Sequence, residues 1–70
     1  MWVLHKGDRK TLINLNRFDQ VLCSHKSLIF QRQTKDGHSM VLNFEDEEEA
    51  QQAFTYLIEA IKRDDKLVHL

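Results

Sequence analysis

Met40-Val41-Leu42-Asn43-Phe44-Glu45-Asp46-Glu47-Glu48-Glu49-Ala50 decides the fold, because the hydrophobic spacing changes inside it. Up to Phe44, the positions Met40, Leu42 and Phe44 alternate with Val41 and Asn43, the period of a strand. Beyond it, Ala50, Ala53, Phe54, Leu57, Ile58 and Ile61 recur at steps of three and four and make one stripe of a helix. Asp46 stands where an N-cap belongs, and Glu49 three residues on completes a capping-box spacing. Glu47 and Glu48 fall in the first turn and Lys62 and Arg63 in the last, the ends at which the helix dipole favours each sign. These signals predict a helix at 47–63.

Working outward, four more strands precede the fifth. Met1 to Lys6 is the first, closed by a Gly7-Asp8 turn. Thr11 to Leu15 is the second, broken by Asn16-Arg17, and Phe18 to Ser24 is the third. Ser27 to Gln33 is the fourth. Thr34-Lys35-Asp36-Gly37 then carries the Asp-Gly pair of a tight hairpin and leads into a fifth strand from His38 to Phe44. The expected fold is α+β: an antiparallel β-meander of about five strands packed on one C-terminal helix. Residues 1–66 make that domain, and Leu67-Val68-His69-Leu70 follows as an apolar tail.

The helix stripe covers one sheet face, for which strand parity selects Ile13, Leu15, Phe18, Val21, Cys23, Leu28, Phe30, Met40, Leu42 and Phe44. The opposite face then holds Leu12, Leu22, Ile29 and Val41, with Val3 or Trp2 nearby. A sheet with one wet face alternates to polar residues there, and a contiguous apolar patch marks an interface. The plainer explanation is that single surface aliphatics are common. Size favours the interface: 70 residues form one domain, which buries only roughly 60% of its unfolded surface. Domains this small compensate with disulfides, metals or association.

Cys23 is the sole cysteine, so no disulfide can form within the chain. That cysteine usage, and a start without a basic-then-apolar leader, point to a reducing, cytoplasmic setting. No apolar run nears the roughly 18 residues of a membrane span, so no membrane partner is expected.

Chemistry-bearing motifs are sparse. Cys23 and His25 stand two apart and could share a strand face, but a nucleophile pair also needs an orienting group and an oxyanion site. Neither has a counterpart in the sequence, and a buried, inert thiol is the expectation. His5, Cys23, His25, His38 and His69 are scattered without zinc spacing. Gly7 and Gly37 are lone turn glycines rather than a phosphate-cradling loop. The acidic run Glu45 to Glu49 lacks the alternation and mid-loop glycine of a calcium site, and helix capping accounts for it. No catalytic residue, metal or cofactor is therefore assigned.

Charge is uneven along the chain. Residues 1–40 carry seven Lys and Arg against three Asp, and residues 41–70 carry three against eight Asp and Glu. Lys6, Arg9, Lys10, Arg17, Lys26 and Lys35 lie near turns, with Trp2, Phe18 and Phe30 interleaved, a pattern that can hold single-stranded nucleic acid. The pI of about 6.4 is low for such a domain, and no helix-turn-helix, RRM or KH signature is present.

The bend Ile13-Asn14-Leu15-Asn16-Arg17-Phe18, the glycine-turned hairpin and the acidic-capped helix start Phe44-Glu45-Asp46-Glu47-Glu48-Glu49-Ala50 resemble the layout of small bacterial β-meander-plus-helix proteins. The FlbD-like swarming-motility proteins share this plan. The resemblance covers most of the chain, is structural, and implies no particular site residue; the tail 67–70 lies outside it. The expected function is that of a small non-enzymatic, self-associating interaction or regulatory protein. It would be a homo-oligomer through Leu12, Leu22, Ile29 and Val41 that docks on a protein partner. The alternative is a nucleic-acid-binding regulator using the six basic residues above.

Overall fold

Among the described residues, alternating positions build six strands, and one amphipathic helix joins the last two: β1 (Trp2–Lys6), β2 (Lys10–Asn14), β3 (Gln20–Ser24), β4 (Ser27–Gln31), β5 (Met40–Asn43), α1 (Glu47–Lys62) and β6 (Leu67–His69). The computed structural model describes residues 1–7, 9–33 and 39–70. Asp8, the Thr34–Gly37 turn with Lys35, and His38 lie outside the described residues.

The α+β layout of antiparallel strands packed against a C-terminal helix holds, with a different division of the strands. The described residues form two three-stranded sheets, ordered β2-β1-β6 and β3-β4-β5. β1 pairs antiparallel with β2 and parallel with β6, while β3, β4 and β5 form a plain antiparallel meander. The sheets separate at a bend. Asn14 Oδ1 accepts the Asn16 N–H at 3.1 Å, and Leu15–Arg17 coil into one 3-10 turn instead of continuing the second strand. Such a side chain offers the backbone an alternative to the ladder.

The tail 67–70 supplies the sixth strand. The Asp64 N–H donates to the Ile61 carbonyl at 3.1 Å and the Asp65 N–H to the Ala60 carbonyl at 3.0 Å, with Asp64 left-handed at φ 58. This is a Schellman closure, which turns the chain back sharply. Val68 then reaches Val3 in register.

The helix begins as its sequence predicts: the Glu49 N–H donates to Asp46 Oδ1 at 2.7 Å. The return bond differs from a strict capping box, since Glu49 Oε2 accepts from the Glu45 N–H at 3.3 Å and not from that of Asp46. α1 packs on β3, β4 and β6, and its buried residues are Ala50, Ala53, Leu57 and Ala60. Ile58 and Ile61, expected on the stripe, flank it and are exposed.

Val3, Ile13 and Val68 from one sheet meet Leu28, Phe30 and Leu42 from the other around the helix. Phe18 meets Phe30 edge-on at 5.7 Å. Leu15, Phe18, Val21, Cys23 and Phe44 pack against this cluster half-buried. Val3, expected near the outer face, is fully buried, and Met40, expected in the core, is exposed. No helix among the described residues is long and apolar enough to cross a membrane.

Candidate functional site

The face of the β3-β4-β5 sheet turned away from the helix carries an aliphatic row. Strand parity sends Val21, Cys23, Leu28, Phe30 and Leu42 inward, so Leu22, Ile29 and Val41 point outward. Register places Leu22 opposite Ile29, and Ile29 opposite Val41, so the three lie side by side across the sheet. Polar neighbours frame the row: Gln20 opposite Gln31 on one side, and Ser24, Ser27 and Asn43 on the other. The Ser27 hydroxyl donates to Asn43 Oδ1 at 2.8 Å, satisfying that rim.

Leu12, assigned to the same patch from sequence, belongs to the other sheet. It stands opposite Leu4, on an outer face that also carries Trp2 and Leu67, which are register partners. Leu12 is exposed, as are Trp2 and Leu67. Two apolar faces therefore exist where the sequence indicated one, because β1 and β2 do not continue the meander.

Between the sheets, beside β5, opens a cleft of about 410 Å³ lined by His5, Arg9, Thr11 and the four residues Met40 to Asn43. His5 is buried, and its ring meets that of Phe44 edge-on at 4.9 Å. Gly7 lies against the same ring: a Cβ there would come within 2.7 Å of His5 Cε1. His5 is an inward residue by the parity of Val3, a signal that was legible once Val3 itself was placed in the core.

Most of the described basic residues lie toward one end of the strands, with Arg17 apart. Lys6 and Lys10 are register partners at the end of the β1-β2 hairpin, with Arg9 beside them on the cleft. Lys26 sits in the β3-β4 turn, its carbonyl accepting from the Phe44 N–H. Arg17 lies in the 3-10 turn at the opposite end of β2, and Lys35 lies outside the described residues. Cys23 is half-buried, whereas His25 is exposed at φ 53 in the turn beyond the strand, so the two do not share a strand face. Among the described residues no group of three His, Cys, Asp or Glu is placed to hold a metal ion.

No protein-family model, curated protein or solved structure matches this chain.

Proposed function

We propose that this chain is a small non-enzymatic interaction protein that self-associates and, as an accessory or regulatory subunit, docks on another protein. The row Leu22–Ile29–Val41 carries this reading, because it is an in-register apolar strip on a face that α1 does not cover. Leu22 and Val41 are exposed on that face, and a contiguous apolar patch on a small domain marks an interface. The free, half-buried Cys23 fits a reducing compartment such as the cytoplasm.

Light scattering at micromolar concentration should give twice the chain mass, twofold pairing being the commonest closed assembly. Val41→Glu should return it to the chain mass by placing unpaired charge in the contact. A wild-type chain that stays at single mass as concentration rises removes the reading.

A further inference from the structure

The reading above leaves open how two copies meet, and β5 answers it. Phe30 and Met40 are register partners on the inward side. Yet Phe30 is 0% exposed and Met40 is 39% exposed. Met40 lacks cover because the cleft, not another strand, lies beside it. Val41, on the other face, is also exposed. β5 is therefore bare on both faces at adjacent residues.

Among the described residues its edge is unpaired as well, bordering the cleft that His5, Arg9 and Thr11 line on the far side. The Phe44 N–H donates to the Lys26 carbonyl at 2.8 Å, continuing the register of Leu42 with Leu28 and Met40 with Phe30. Antiparallel alternation then directs the backbone groups of Met40 and Leu42 to β4, and those of Val41 and Asn43 away from it. Among the described residues no strand lies beyond β5. Natural sheet edges are blunted by charge, proline or bulges, but β5 has no charged residue and the chain has no proline. The other edges differ. β2 carries Lys10 and follows Arg9, and β6 is three residues long after Lys66. β3 is also uncharged, but Asp19 directly precedes it, its carboxylate accepting the Gln33 N–H at 2.8 Å.

We infer that β5 pairs antiparallel with β5 of a second copy of this chain, joining the two meanders into one six-stranded sheet. This inference rests on the self-association proposed above and specifies its geometry. With the twofold axis at Val41, the cross-strand pairs are Val41 with Val41, Met40 with Leu42, and Ser39 with Asn43, all neutral. No like charges oppose one another. The outward amides of Val41 and Asn43 gain partners, and Met40 gains the missing neighbour. An axis perpendicular to the sheet keeps both helix-free faces on one side. The row then runs Leu22, Ile29, Val41, Val41, Ile29, Leu22 across the dimer, a strip long enough to receive the protein partner.

Amide exchange of the full chain, read residue by residue alongside its mass, tests this. The Val41 and Asn43 amides should exchange slowly in concentrated dimer and rapidly once dilution gives the single mass. Asn43→Pro removes an outward N–H and should run at single mass with unchanged far-UV circular dichroism. Asn43→Ala loses the same Ser27 hydrogen bond, keeps the amide, and should remain dimeric. Ile29→Glu lies one strand in from the contact and should also remain dimeric. A dimer whose Val41 and Asn43 amides exchange rapidly, or one that Ile29→Glu dissociates and Asn43→Pro does not, overturns edge pairing and leaves self-association standing through stacked faces. A single mass at every concentration overturns both. Should Asn43→Pro fail to fold, amide exchange of the wild type decides alone.

Discussion

The two sheets have the same number of strands and different origins. The β3-β4-β5 sheet is local: each strand pairs with the next along the chain, and its register follows from short turns. The β2-β1-β6 sheet is half local and half remote, since β1 pairs in parallel with a strand more than sixty residues away. Their edges differ too. The remote sheet is bordered by Lys10 on one side and by a three-residue strand on the other, while the local sheet ends in the uncharged β5. The local sheet is thus the one we propose extends to a second copy, and the remote sheet is the one that closes the fold.

This contrast is best broken where the local sheet meets the shared core. Phe30 is fully buried and stacked edge-on with Phe18. Phe30→Ala should cost about 3–5 kcal/mol, a large part of the stability of so small a domain, and urea melts should show a single cooperative loss. A cost below about 1 kcal/mol, within the range of ordinary surface changes, would mean the local sheet does not anchor the core.

Val68→Ala sharpens the contrast from the other side. It removes two carbons from a buried position and should cost about 2 kcal/mol, at roughly 0.8 kcal/mol for each carbon plus the space left behind. The loss should be uneven: amides of β1 and β6 should exchange faster while those of β4 keep their protection. Equal acceleration in both sheets would show that they open as one unit. The smallest effect belongs to the helix that both sheets share. Asp46→Ala should cost about 1 kcal/mol, and Asp46→Asn much less, because asparagine still caps. A thermal melt in which both variants match the wild type would leave the 2.7 Å bond to the Glu49 N–H without energetic weight.

What the sequence made legible follows the same division. The meander and the helix start could be read because their signals are local: alternation through Leu22, Ile29 and Val41, and Asp46 followed by Glu49. The helix face was half legible. Ile58 and Ile61 outrank Ala60 in hydrophobicity, yet Ala60 is buried and both isoleucines are exposed. The small Ala50, Ala53 and Ala60 form the buried side with Leu57, and their lack of bulk lets α1 lie close to β4 and β6. The split into two sheets was not legible, because the Asn14 side chain that starts the 3-10 turn looks like any loop asparagine. The sixth strand was hidden for a similar reason. Its chain reversal uses Asp64 at positive φ, where glycine or asparagine would have announced it. Of the candidate site, the row Leu22–Ile29–Val41 could be found by parity, but Leu12 could not be separated from it and the exposure of Met40 could not be foreseen. Both depend on which strand neighbours which.

The parallel pairing of β1 with β6 also sets an order in time. A chain emerging from the ribosome releases β1 well before the strand that completes its sheet. The β3-β4-β5 meander can close as soon as Asn43 is clear, and α1 can dock soon after Lys62. Throughout that interval Val3 and Ile13 have no Val68 to meet. Joining strands so far apart also carries the loop-closure entropy of nearly the whole chain, although that penalty grows only with the logarithm of the separation. β1 is therefore made long before it is sheltered, and its sheet stays open on that side until Val68 and its neighbours arrive.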